Sequence, residues 1–77
     1  MSFLPVLKAG ELIKALTRAG FKIIRQSGSH VRLQHALDSR RQTTVPHHSA
    51  DIPHWLLREI LRQAGISAKQ LLKLLDK

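Results

Sequence analysis

The residue of this chain best suited to chemistry is a histidine that follows a Ser-Gly-Ser turn. Residues 26–33 run Gln-Ser-Gly-Ser-His-Val-Arg-Leu, and from His30 onward apolar and polar residues alternate. This period of two predicts a half-buried strand, with Val31 and Leu33 facing the core and His30 and Arg32 facing water. The turn places His30 at the first position of that strand. An exposed imidazole among cations is suited to proton transfer on a phosphodiester.

Basic residues surround this turn. Thirteen Lys and Arg against five Asp and Glu give a net charge of +8, which is large for 8.7 kDa. Such a charge predicts a polyanionic partner, either a nucleic acid, an acidic protein, or both. The candidate nucleic-acid contacts lie in the turn, its two strands and the next loop: Lys22, Arg25, Gly28, Ser29, Arg32, Arg40 and Arg41.

Metal and cofactor chemistry are not predicted. The chain has no cysteine, its other histidines are not at helical ligand spacing with a carboxylate, and its five acids are scattered. A two-metal nuclease needs a carboxylate cage. The residues present are compatible with a metal-independent ribonuclease, because RNA supplies its own nucleophile, the 2′-hydroxyl. His47 and His48 follow Val45-Pro46 in a loop for which a binding role stays open.

Hydrophobic periodicity supplies the elements that must position these residues. The predicted order is helix 8–19, strands 21–26, 30–35 and 42–45, a helix from about 52 or 53 to 64, and a third helix after Ser67. Gly20 and Gly65 are placed to end helices, and Asp51 to cap the second one. The predicted core is Leu12, Ile13, Leu16, Phe21, Ile23, Val31, Leu33, Val45, Leu57, Ile60 and Leu61.

The length of 77 residues predicts one small domain. The predicted order of helices and antiparallel strands makes it an α+β domain. Residues 1–7 form an N-terminal lead and residues 66–77 a helix packed on the core. Helices are expected to cover one face of a three-stranded antiparallel sheet and to leave His30 and Arg32 on the open face. The lack of cysteine, of a signal-like start and of an apolar run of about 18 residues favours a cytoplasmic protein without a membrane partner.

Three ordered motifs resemble the HicA family of toxins over about residues 8–75: Gly28-Ser29-His30, Thr44-Val45-Pro46-His47, and Leu-Arg-x-Ile-Leu-x-Gln-Ala-Gly at 57–65. The resemblance implies a double-stranded-RNA-binding-domain-like fold and mRNA interferase activity. It places the family's catalytic histidine on His30. It also implies a HicB-type antitoxin as the protein partner and mRNA as the substrate.

Two other functions are compatible with the same residues. One is a non-catalytic RNA-binding module in which His30 only contacts phosphate. The other is a basic protein-interaction domain whose charge serves an acidic partner. Cleavage of RNA by the purified protein discriminates among the three.

Overall fold

The computed structural model describes residues 4–76, which form three helices and one sheet. The elements in chain order are α1 (Ala9–Arg18), β1 (Phe21–Ser27), β2 (His30–His35), β3 (Gln42–Pro46), α2 (His54–Ala64) and α3 (Ala68–Leu75). This helix, three-strand, two-helix order confirms the predicted α+β fold of the double-stranded-RNA-binding-domain type. Within the described residues, no helix has the length and apolar character needed to cross a membrane.

The sheet is antiparallel, and β2 is its central strand. Val31, Leu33 and Val45 on its inner face are buried, and they form one core with the apolar sides of the helices. The residues that alternate with them on β2 and β3 are exposed or only half-buried. The sheet therefore has a covered face and an open face, as the sequence predicts.

The core differs from the predicted one at its margins. Ile23 is wrong as a core residue, because it lies on the edge strand β1 and 51% of its surface is exposed. Ile13 is only partly buried. The lead segment contributes Leu4 and Leu7 to the core, and the Leu7 carbonyl accepts a 2.8 Å hydrogen bond from the Ile52 N–H. Periodicity could not find these residues, because they lie outside regular elements.

The helix ends follow the predicted glycines but not the predicted acidic cap. Gly20 and Gly65, each following the last turn of a helix, have φ of +102° and +72°. Asp51 does not cap α2, which begins at His54 after Pro53. The Asp51 carboxylate instead accepts a 2.6 Å hydrogen bond from Lys8 Nζ. The start of α2 therefore has no N-cap side chain, and Ile52 just before it is buried in the core.

The third helix has the predicted cap. Ser67 Oγ accepts a 3.1 Å hydrogen bond from the Gln70 N–H, and Gln70 Oε1 accepts one of 2.9 Å from the Ser67 N–H. This reciprocal pair is a capping box. Leu71 is fully buried, and Leu74 and Leu75 pack partly against the core.

Candidate functional site

His30 lies at the first position of β2, beside a two-residue turn. Ser27 pairs with His30 across the turn, and Gly28 has φ of +56°, a conformation that glycine adopts without steric cost. Val31 and Leu33 are buried, with 2% and 0% of their surfaces exposed, whereas His30 and Arg32 are exposed. The imidazole is therefore on the open face, on the same side of β2 as Arg32, which follows two residues along the strand.

A β-bulge brings Arg25 to the same face. The register pairs Ile23 with Leu33 and Arg25 with Arg32, so Ile24 is an extra residue without a partner. Without it, strict alternation would put Arg25 on the same side as Ile23. With it, Arg25 lies opposite Arg32 and shares its face. Lys22, opposite the outward residue Gln34, is on that face too.

Arg32 is held in place by neutral groups on β3. Its Nη1 donates to Thr44 Oγ1 at 3.2 Å and its Nη2 donates to Gln42 Oε1 at 2.8 Å. These contacts orient the guanidinium without neutralising its charge. The sequence interpretation missed Gln42 and Thr44, although their alternation around the buried Thr43 signals that they face the same side as Arg32.

The carboxylates of the described residues are engaged elsewhere. Three form ion pairs: Asp38 with Arg40, Asp51 with Lys8, and Glu59 with Arg62. Hydrogen bonds from the partner arginines hold the pKa of Asp38 and of Glu59 below their usual values. Glu11 caps α1 by accepting from the Lys8 N–H, and Asp76 follows α3. The open face of the sheet thus carries Lys22, Arg25 and Arg32 with no acid to offset them.

Arg40 and Arg41 are not brought to His30. They precede β3, whereas His30 pairs with Pro46 at its other end, which is about 17 Å from Arg41 along an extended strand. Arg41 Nε donates to the Ala64 carbonyl at 2.7 Å, and its guanidinium lies 5.5 Å from the centre of the Phe21 ring. These contacts join α2 to the sheet, so the structure gives Arg41 a packing role.

The loop after β3 is fixed against the turn that carries His30. The His47 N–H donates to the Ser29 carbonyl, which continues the ladder in which Pro46 pairs with His30. His47 and His48 are exposed. No group of three or more metal-ligating side chains is found within residues 4–76.

His35 has a structural role at the opposite end of β2. Its Nδ1 accepts a 3.1 Å hydrogen bond from the Leu37 N–H, and its Nε2 lies 3.2 Å from the Ala19 carbonyl oxygen. Because a backbone N–H can only donate, Nδ1 is the acceptor and Nε2 carries the proton given to Ala19. The imidazole ring also packs edge-on against the Phe21 ring, and the two ring centres are 5.1 Å apart.

Comparison with protein families matches residues 9–66 to the HicA toxin of bacterial toxin-antitoxin. The chain belongs to the HicA family. The matched region covers α1, the whole sheet and α2, and so includes His30 and the cationic open face. A comparison with curated proteins gives no significant match. As a HicA toxin, the chain is one half of a toxin–antitoxin pair.

Proposed function

We propose that this HicA toxin is a metal-independent endoribonuclease that cleaves mRNA. The observation that carries the proposal is the exposed His30 at the edge of a sheet face with three cations and no carboxylate. An RNA backbone brings the negative charge this face lacks. The surrounding groups, a turn glycine and serine hydroxyls, leave room for a phosphate to approach.

The proposed reaction uses groups that the protein and the RNA supply between them. A base removes the proton of a ribose 2′-hydroxyl, and the 2′-oxygen attacks the adjacent phosphorus. The bond from phosphorus to the 5′-oxygen breaks, and that oxygen takes up a proton. The products are a 2′,3′-cyclic phosphate and a 5′-hydroxyl. His30 acts as the base or the acid, and Arg32 stabilises the charge that develops on the phosphoryl oxygens.

The other candidate RNA contacts divide by their position in the sheet. Lys22 and Arg25 extend the cationic surface along β1, and Gly28 and Ser29 let the backbone approach the turn. Arg40 and Arg41 make structural contacts at the far end of β3, so the proposal assigns them no part in cleavage.

The proposed partner is a HicB-type antitoxin that covers the turn and masks His30. Family membership implies an antitoxin, and a face with uncompensated positive charge favours an acidic contact surface. In this proposal the toxin, the antitoxin and the mRNA substrate meet in the cytoplasm.

The competing function is RNA binding without cleavage, in which His30 contacts phosphate only. The same exposed cations support it, because binding needs charge and shape but no proton transfer. The two functions differ in whether the RNA is cleaved or stays intact.

Cleavage of RNA by the purified protein, followed by analysis of the fragment ends, tests the proposal. We expect 2′,3′-cyclic phosphate ends, no inhibition by EDTA, and a loss of about 10²–10⁴-fold in His30→Ala. His54→Ala, which removes an exposed imidazole from α2, is the matched control and should cleave normally. Intact RNA bound by the wild-type protein would instead support the binding module. Full activity in a folded His30→Ala variant would reject the role of His30.

A further inference from the structure

We propose that His48 is the second proton-transfer residue of the site, the general acid that protonates the leaving 5′-oxygen while His30 acts as the base. This inference rests on the proposed ribonuclease function. It also assigns His30 one of the two roles left open above.

The ladder between β2 and β3 places His48 beside His30. His30 pairs with Pro46, and the hydrogen bond from the His47 N–H to the Ser29 carbonyl extends the pairing by one residue. Alternation along β3 puts His47 on the side of the ladder opposite Pro46, and the chain bends from the exposed His48 onward, next to the turn that carries His30.

The spacing suits two imidazoles that act on one phosphodiester. His48 lies two residues beyond Pro46, the partner of His30, so the chain keeps its Cα within about 7 Å of the Pro46 Cα. This is within reach of side chains that converge on one phosphate from two sides. The backbone hydrogen bond at His47 also fixes the start of the loop, so that His48 is held near the turn.

No other group near His30 can act as the general acid. A general acid must hold a proton at neutral pH and release it during the reaction, which histidine does and arginine does not. Arg25 and Arg32 therefore stabilise charge only. Lys22 lies opposite Gln34, four residues along β2 from His30 and about 13 Å away. The described carboxylates lie off this face.

His30 accepts the proton of the 2′-hydroxyl, the 2′-oxygen forms a bond to phosphorus, and the bond to the 5′-oxygen breaks. Protonated His48 gives its proton to that oxygen. The enzyme ends with His30 protonated and His48 neutral, and exchange of protons with water restores the starting state.

The test compares two substrates. The first is an RNA that the wild-type protein cleaves. The second carries sulfur in place of the 5′-oxygen at the cleaved linkage, and its thiolate leaves without protonation. We expect His48→Ala to lose about 10²–10⁴-fold on the oxygen substrate and to recover nearly to the wild-type rate on the sulfur substrate. His30→Ala should stay slow on both, because the 2′-hydroxyl still requires a base.

The controls separate this inference from the proposed function. His47→Ala keeps the backbone N–H that bonds Ser29, so it should cleave both substrates at the wild-type rate. His48→Gln provides a second variant, and thermal unfolding shows whether each protein is folded. Normal cleavage of the oxygen substrate by His48→Ala, or a loss that sulfur does not rescue, would overturn the role of His48. If the wild-type protein cleaves neither substrate, the proposed ribonuclease function itself fails.

Discussion

The arginines of this chain divide into two groups by what their guanidinium groups contact. Arg40 and Arg41 bind groups of the protein itself: Asp38, the Ala64 carbonyl and the Phe21 ring. Arg32 contacts only neutral side chains, and Arg25 has no ion-pair partner among the described residues. Sequence position near the turn did not distinguish the two groups, because contacts across the fold decide them.

RNA binding should therefore respond differently to the loss of Arg25 and of Arg40. Each phosphate contact to a single strand adds about 0.7 to the slope of log affinity against log salt concentration. Arg25→Ala should weaken binding and reduce that slope by about 0.7, whereas Arg40→Ala should leave both unchanged. Fluorescence anisotropy at several salt concentrations measures this, in a His30→Ala background that keeps the RNA intact. Equal effects of the two substitutions would show that the binding surface extends beyond the open face.

The junction between α1 and β1 depends on one glycine. Gly20 has φ of +102°, and a Cβ there would lie 2.9 Å from Nε2 of His35. That nitrogen is already committed to the Ala19 carbonyl at the end of the same helix. Gly20 is therefore the point where the end of α1, the start of β1 and the end of β2 meet. No side chain fits there.

Gly20→Ala should lower the free energy of unfolding by about 1–3 kcal/mol, because it adds both backbone strain and a steric clash. Gly10 is the matched control: it lies inside α1, and a Cβ there meets nothing within 4 Å. Gly10→Ala should raise the stability by about 0.5–1 kcal/mol through the lower entropy of the unfolded chain. Denaturant unfolding compares the two, and a neutral Gly20→Ala would contradict the clash.

One small core supports both the covered face of the sheet and the site on its open face. Ile60, with 1% of its surface exposed, belongs to the core cluster that includes Val31 and Val45 of the sheet. Ile60→Ala should cost about 2–5 kcal/mol, a large share of the stability of a domain of this size. Leu72, 43% exposed on α3, is the control, and its replacement by Ala should cost much less. Calorimetry of both variants checks this, and equal losses would place the core elsewhere.

The charge of the whole molecule should also govern how it meets its antitoxin. Because long-range attraction speeds the encounter of opposite charges, association should slow as salt rises, while dissociation changes less. Arg25→Ala should reduce the association rate, and the complex should protect RNA from cleavage. Stopped-flow mixing with a HicB-type antitoxin measures these rates. Association that is independent of salt would contradict an acidic contact surface over the open face.

The order of the helices and strands and the exposure of His30 could be predicted from local sequence patterns. Alternation along residues 30–35 and helical spacing in α1 and α2 are local signals, because side-chain direction in a strand or helix follows from the backbone period. The sequence motifs also carried the family, which the match over residues 9–66 confirmed. The turn glycine and the cap at Ser67 were predictable for the same local reason.

Which cations share the face of His30 depends on how the strands pair in the folded protein. Lys22 and Arg25 are three residues apart, so strict alternation would put them on opposite sides, and the bulge at Ile24 reverses this. The bulge depends on how β1 pairs with β2, which no single segment specifies. The same holds for Ile23, exposed because β1 is an edge strand, and for Arg41, drawn to Ala64 on a distant helix. Contacts between segments far apart in sequence fixed these positions, and local periodicity carries no information about them.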